Sequence, residues 1–177
     1  MRRRTLAAVA VAVLVVLLGF GAWAFQPWRV WTQHTVDEAL PSAPVTSSAP
    51  PAEPGTSPAP PPEPVELATG AFVAQEHETS GVARVVRLPD GSRLLRIEGL
   101  STSDGPDLHV WLTDQTAGGE WSKYDDGRYL ALGPLKGNRG SQNYPVPPDA
   151  DLAGLTSVVI WCDRFNVAFG SAPLTSG

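Results

Sequence analysis

The sequence contains few of the residues that usually cross-link a small domain or bind a metal in it. Among its 177 residues are one cysteine, Cys162, one methionine and three histidines. A single cysteine excludes an internal disulfide, so the fold must be stabilised by its core. The lack of a Cys-x-x-Cys-His motif excludes an attached c-type haem. A blue-copper site needs two histidines and usually an axial sulfur, yet no histidine follows Cys162.

A site made of Cys162, His109, His77 and a carboxylate stays open, because these side chains are able to bind transition metals. No spacing motif in the sequence supports it. We therefore predict no metal ligands, and the sequence identifies no cofactor.

Positive charge is also scarce. The chain has 13 Lys and Arg against 18 Asp and Glu, and three of the arginines stand together at residues 2–4. Nucleic-acid binding requires a basic surface. We therefore predict no nucleic-acid partner.

The N-terminal residues 1–25 have the pattern of a membrane anchor or signal. Three arginines precede residues 6–25, which carry no charge and match the length of an apolar helix that crosses a bilayer. The positive-inside rule predicts a single-pass protein of the cell membrane, with a cytoplasmic N-terminus and an extracytoplasmic C-terminal domain. Ala22-Trp-Ala24 offers a signal-cleavage site, whereas the tryptophans that follow suit a retained anchor at the membrane interface.

Two segments separate this anchor from the rest of the chain. Residues 26–40 form a short, mixed juxtamembrane segment. Residues 41–64 contain ten of the 18 prolines and only two charges, which is typical of a disordered linker. Such a linker would extend at up to about 3.1 Å per residue and would hold the domain away from the membrane as a stalk.

Residues 66–177 have the pattern of an all-β domain. About eight short apolar segments alternate with turn residues, and no helical period is present, which predicts an antiparallel β-sandwich. Pro89-Asp-Gly91 predicts a turn that joins strands 82–88 and 93–98 into a hairpin.

The segment that carries Cys162 is apolar on both strand faces. Residues 158–161 are Val-Val-Ile-Trp, as in a central strand that is covered on both sides. Asp163, Arg164 and Asn166 then predict a turn into a second strand. Cys162 stands at the boundary between strand and turn. Its thiol is therefore reactive, buried and structural, or paired with another molecule.

Four motifs, taken in order, resemble the DM-13 domain family, known as the electron-transfer DM-13 domain. The resemblance covers roughly residues 66–175 and is carried by Gly105-Pro-Asp-Leu-His109, Leu132-Gly-Pro-Leu-Lys-Gly-Asn138, Gln142-Asn-Tyr144 and Val159-Ile-Trp-Cys-Asp-Arg-Phe-Asn-Val167. The resemblance implies a β-sandwich and a redox role for Cys162. No established catalytic constellation accompanies the cysteine.

We hypothesise that the other motifs serve the cysteine. His109 and Lys136 would lower the pKa of the Cys162 thiol, and Asn143 or Tyr144 would hydrogen-bond a partner. Asp107 and Trp161 complete this set of supporting residues. The alternative is that the glycines of the 133–140 loop shape turns, while its asparagines satisfy loop backbone.

Two functions follow, according to whether the Cys162 thiol is reactive or is a buried structural group. In the first, the chain is a membrane-tethered redox module with an extracytoplasmic redox or cell-envelope partner. In the second, it is a non-catalytic binding or adhesion domain at the cell surface, and Cys162 is a core residue.

Overall fold

The computed structural model describes residues 2–26, 28, 32–41 and 63–176. One long helix, α1 (Arg2–Phe25), precedes the strands. Its segment Arg3–Ala24 is long and apolar enough to cross a membrane, and none of that segment is buried. The apolar side chains of this segment are therefore exposed and do not belong to the core of the β-domain.

The described part of the chain contains eleven strands and a short 3-10 helix. The strands are β1 (Thr35–Asp37), β2 (Val65–Ala71), β3 (Val73–Ala74), β4 (Ser80–Arg87), β5 (Arg93–Ser101), β6 (Leu108–Thr113), β7 (Tyr129–Pro134), β8 (Arg139–Val146), β9 (Ser157–Cys162), β10 (Val167–Pro173) and β11 (Thr175–Ser176). The 3-10 helix, Lys123–Asp125, lies between β6 and β7.

The strands form two sheets that pack face to face. The larger sheet has the order β1-β8-β5-β4-β2-β11, and the smaller has the order β3-β10-β9-β6-β7. This confirms the predicted β-sandwich. The structure has eleven described strands where about eight are predicted, and the three shortest are β1, β3 and β11. All pairings are antiparallel except that of β1 with β8, which is parallel.

The predicted hairpin around residue 90 is confirmed. Strands β4 and β5 pair with Val86 opposite Leu94. Gly91 has φ 85°, a value that glycine adopts without the steric cost that a side chain brings. The hairpin lies inside the larger sheet rather than at its edge.

Strand β9 is buried on both faces, as the sequence predicted. All six of its residues are buried. Val158, Ile160 and Cys162 belong to the core between the sheets. Val159 and Trp161 belong to a second apolar cluster with Trp111, Tyr124 and Ala168. Because alternate residues of a strand face opposite sides, this second cluster covers the outer face of the smaller sheet.

The segments between α1 and β2 are described in part. Thr35–Asp37 of the predicted juxtamembrane segment joins the larger sheet as β1. The proline-rich segment predicted over residues 41–64 lies outside the described residues, apart from positions 41, 63 and 64.

Truncation of a valine in β9 should measure how far the domain depends on this strand. Val158 is fully buried, whereas Val65 is 50% exposed. We expect Val158→Ala to lower the free energy of unfolding by about 2 kcal/mol, through lost apolar burial and the cavity left behind.

The control, Val65→Ala, should change the free energy of unfolding by less than about 0.5 kcal/mol. Urea unfolding of a chain without α1, followed by tryptophan fluorescence, measures both. Equal effects of the two substitutions would contradict the central position of β9.

Candidate functional site

Cys162 is the last residue of β9 and lies between the two sheets. It pairs with Leu108 at the start of β6 and with Val167 at the start of β10. Its exposed fraction is 0%, and it is a free cysteine in the main core. The sulfur is therefore enclosed by the fold, although it lies only one residue from an exposed turn.

Residues 163–166 form that turn and close the β9–β10 hairpin. The Asn166 N–H donates to the Cys162 carbonyl oxygen at 2.9 Å, and the Asp163 N–H donates to the Asp107 carbonyl oxygen at 3.0 Å. Asn166 has φ 56°, a left-handed conformation that asparagine tolerates better than most residues. All four turn residues are exposed, so the buried thiol is followed directly by an exposed turn.

The environment of the sulfur acts on its pKa in two directions. Burial raises the pKa of the Cys162 thiol most strongly, because the core disfavours the charged thiolate. Hydrogen bonds from the backbone N–H groups of Phe165, Arg164 and Asp107 lower the pKa of the thiol, whereas the negative charge of the Asp107 carboxylate raises it further. The net pKa lies above its usual value, so the resting group at neutral pH is the neutral thiol.

Asp107 and His109 come together with a third residue, Asp163. His109 Nε2 lies 3.0 Å from Asp107 Oδ1 and 3.3 Å from Asp163 Oδ2. Their ligand atoms lie within 4.8 Å of one another, and one nitrogen with two oxygens is a donor set that binds divalent transition metals. The same distances are also those expected for a histidine that interacts with two carboxylates when no metal is bound.

This acidic-histidine cluster faces away from the sulfur. Leu108 and Val110 point into the core between the sheets, so His109 between them lies on the outer face of β6. The cluster includes neither Cys162 nor His77. The His77 ring packs instead against Phe169, with ring centroids 4.0 Å apart.

Lys136 and Asn143 bind the segment around β1. Lys136 Nζ donates to both carboxylate oxygens of Glu38, at 2.8 and 2.9 Å. Asn143 donates its backbone N–H to Glu38 Oε2 at 2.7 Å and its side-chain amide to the Ala39 carbonyl oxygen at 2.8 Å. The Lys136 hydrogen bond, followed by that of Asn143, holds the pKa of the Glu38 carboxyl below its usual value.

Tyr144 and Trp161 contact other side chains and backbone groups of the domain. The Tyr144 hydroxyl accepts from the Lys136 backbone N–H at 3.1 Å and donates to Gln142 Oε1 at 2.7 Å. Burial raises the pKa of Tyr144 to about 12. Trp161 lies on the opposite face of β9 from Cys162, with its ring centroid 5.1 Å from that of Trp111.

A cavity of about 320 Å³ opens at the end of the sandwich where β9 ends. Asp107 and Lys136 line it together with Leu108 and with His34, which precedes β1. Cys162 is the strand partner of Leu108 but is not among the residues that line the cavity. The cavity thus brings together Asp107 and Lys136, two of the predicted supporting residues.

Sequence reasoning missed the partners that organise these groups. Asp163 was assigned to turn chemistry, and its contact with His109 depends on the pairing of Leu108 with Cys162. Glu38 carried no signal in the sequence, since it stands about 100 residues before the side chains that bind it.

Comparison with known proteins matches the chain to a protein family. A family model described as "Electron transfer DM13" matches residues 71–174, which is more than half of the chain. The matched region contains Cys162 and excludes α1 and β1. No curated protein and no solved structure matches the chain.

Removal of the Tyr144 hydroxyl should show whether the buried network is structural. Tyr144→Phe leaves the Lys136 N–H without this acceptor and Gln142 Oε1 without this donor, and we expect a loss of about 1–3 kcal/mol of folding free energy. Tyr129→Phe is the matched control, because Tyr129 is 44% exposed.

Urea unfolding compares the two variants, and absorbance at alkaline pH identifies the hydroxyl. The folded pKa of Tyr144 is raised, so its contribution to stability is present below the unfolded value and is lost as the pH rises towards 12. A Tyr144→Phe protein that keeps the late phenolate transition would contradict this assignment.

Proposed function

Because the chain belongs to the electron transfer DM13 family, we propose that residues 66–177 form an electron-transfer domain in which Cys162 is the redox-active group. The observation that carries the proposal is the set of backbone N–H donors from residues 107, 164 and 165 at the Cys162 sulfur. Donors of this kind stabilise a thiolate once it forms. Cys162 is also the only cysteine in the chain.

The chemistry proposed for Cys162 is exchange with a disulfide of a partner. The Cys162 proton leaves to solvent, and the thiolate attacks one sulfur of the partner disulfide. A new S–S bond forms to Cys162 as the partner bond breaks, and the second partner sulfur leaves with the electron pair. A dithiol of a second partner then attacks the Cys162 sulfur, which releases the first partner as a dithiol, and its second thiol closes a disulfide that restores the Cys162 thiol. Two electrons thereby pass from the second partner to the first. Because the sulfur is buried, attack requires the 163–166 turn to open.

The proposed place of this chemistry is the outer face of the cell membrane. α1 is long and apolar enough to span a bilayer, and the three arginines at its N-terminal end favour a cytoplasmic N-terminus. The partner would then be an extracytoplasmic redox or cell-envelope protein. A cleaved signal sequence would instead leave the domain free outside the membrane.

A second candidate function has its own support. The sulfur is 0% exposed, belongs to the main core and has a raised pKa, as does a cysteine that serves only packing. On this reading the chain is a non-catalytic binding or adhesion domain. The cavity near Asp107 and Lys136 would then be the natural place for a ligand.

The route by which a thiol reagent reaches Cys162 separates the two functions. If the turn opens by itself, N-ethylmaleimide should label Cys162 in the folded protein at a rate that does not change with low urea. Labelling through global unfolding would instead accelerate with urea, with the slope of the whole unfolding transition.

The matched control places the only thiol in the middle of the same strand. Val158 is fully buried and also points into the core between the sheets, so the Cys162→Ala and Val158→Cys double variant should label only by global unfolding. Mass spectrometry follows both reactions at neutral pH. Identical urea dependence for Cys162 and for the control would contradict the redox proposal and favour the packing role.

A further inference from the structure

β1 is an added strand that the domain binds with specific contacts. It pairs in parallel with β8, with Thr35 opposite Arg139 and Asp37 opposite Ser141. Two further backbone–backbone bonds fix its ends: the Glu38 N–H donates to the Ser141 carbonyl oxygen at 2.8 Å, and the Arg139 N–H donates to the His34 carbonyl oxygen at 3.1 Å. The Ser141 N–H also donates to the Asp37 side chain, at 3.2 Å from Oδ1. The edge of β8 is thereby covered.

Two glycines in and before β8 leave room for this strand. A Cβ atom at Gly137 would lie 2.5 Å from the His34 carbonyl oxygen, and one at Gly140 would lie 2.2 Å from the Val36 carbonyl oxygen. Gly137 does not have a positive φ, so turn geometry does not require glycine at that position. The close approach of β1 accounts for it.

Side chains from the domain complete the binding of β1. Asn138 accepts the His34 N–H at 2.7 Å and donates to the Thr32 carbonyl oxygen at 3.2 Å. Lys136 and Asn143 hold the Glu38 carboxylate, and Arg96 donates to the Glu38 carbonyl oxygen. The Lys136–Glu38 pair is about one-third exposed, and ion pairs that are open to solvent contribute little to stability. The backbone hydrogen bonds and the buried Asn138 amide are therefore the main contacts that bind β1 specifically to the domain.

The connection from α1 to β1 is short. Nine residues, 26–34, separate the end of the helix from Thr35, and they span at most about 30 Å. β1 begins at the end of the sandwich that holds Cys162, and the Arg164 guanidinium donates to the Ala24 carbonyl oxygen at 2.9 Å. A cation at the C-terminal end of a helix is favourable for the unpaired carbonyls there.

We propose that the domain is attached to α1 through β1 and not through the proline-rich segment, which therefore does not act as a stalk. Its two ends join β1 and β2, which both belong to the larger sheet. The length of residues 26–34 would then limit the distance between the domain and the membrane. The end of the sandwich that holds Cys162 would lie next to the helix. The proposal rests on the proposed anchoring of α1.

The test cuts the proline-rich segment. A site-specific protease sequence replaces residues 50–56 of the full-length protein, and membranes that contain the protein are digested, washed and sedimented. We expect the C-terminal fragment to stay in the membrane pellet, because β1 still pairs with β8. Release of that fragment into the supernatant would overturn the proposal.

Two variants show whether retention depends on β1. Gly137→Ala places a Cβ against the His34 carbonyl oxygen, and Glu38→Pro removes both the N–H to Ser141 and the carboxylate that Lys136 binds. Each should release the fragment after cleavage. Val65→Ala is the control, because Val65 is 50% exposed and lies on β2, away from the pairing of β1 with β8, and it should leave the fragment bound. Retention in both β1 variants would overturn the proposal.

The anchor is tested separately by the uncleaved protein. If the intact chain itself fails to sediment with membranes, the proposed anchoring is wrong. Gel filtration of the cleaved protein then tests β1 alone: one complex of both fragments supports the attachment, and separate fragments overturn it.

Discussion

β9 is held between two apolar clusters, and this constraint determines where the thiol can be. Val158, Ile160 and Cys162 contact the core between the sheets, while Val159 and Trp161 contact Trp111 and Tyr124 on the other side. A strand covered on both faces leaves only its ends near solvent. Cys162 occupies such an end, so a side chain that is fully buried still lies under an exposed turn of four residues. The chemistry proposed for Cys162 therefore depends on the opening of that turn.

The second constraint is the parallel pairing of β1 with β8, which lies outside the region that the family model matches. It uses Lys136 and Asn143 and explains Gly137 and Gly140, all of which belong to or adjoin the motifs that resemble the family. Glu38, although it precedes the proline-rich segment, is held by the same sheet as Val65. If α1 is a retained anchor, the partner of Cys162 would be met beside the membrane rather than at the end of a stalk.

The sequence allowed the sandwich, the β4–β5 hairpin and the two-sided burial of β9 to be predicted, because each depends on local patterns of apolar and turn residues. It did not predict β1, whose three residues carry no apolar period and reach β8 across about 100 residues. Nor did it indicate which polar side chains meet. His109 faces Asp163 only because of the register between β6 and β9, and Lys136 faces Glu38 only because β1 is present. The glycines at 137 and 140 were the available signal, since glycine beside a strand often marks a close backbone approach.

The central claim, that Cys162 exchanges with a disulfide of a partner, is tested most directly by trapping in cell membranes. Cells that express the full-length chain are quenched with acid and alkylated, and Cys162 is followed on non-reducing gels and by mass spectrometry. The account predicts a disulfide-linked adduct that disappears on reduction and is absent from Cys162→Ser. Recovery of Cys162 solely as the free thiol, with no adduct above the Cys162→Ser background, would contradict it.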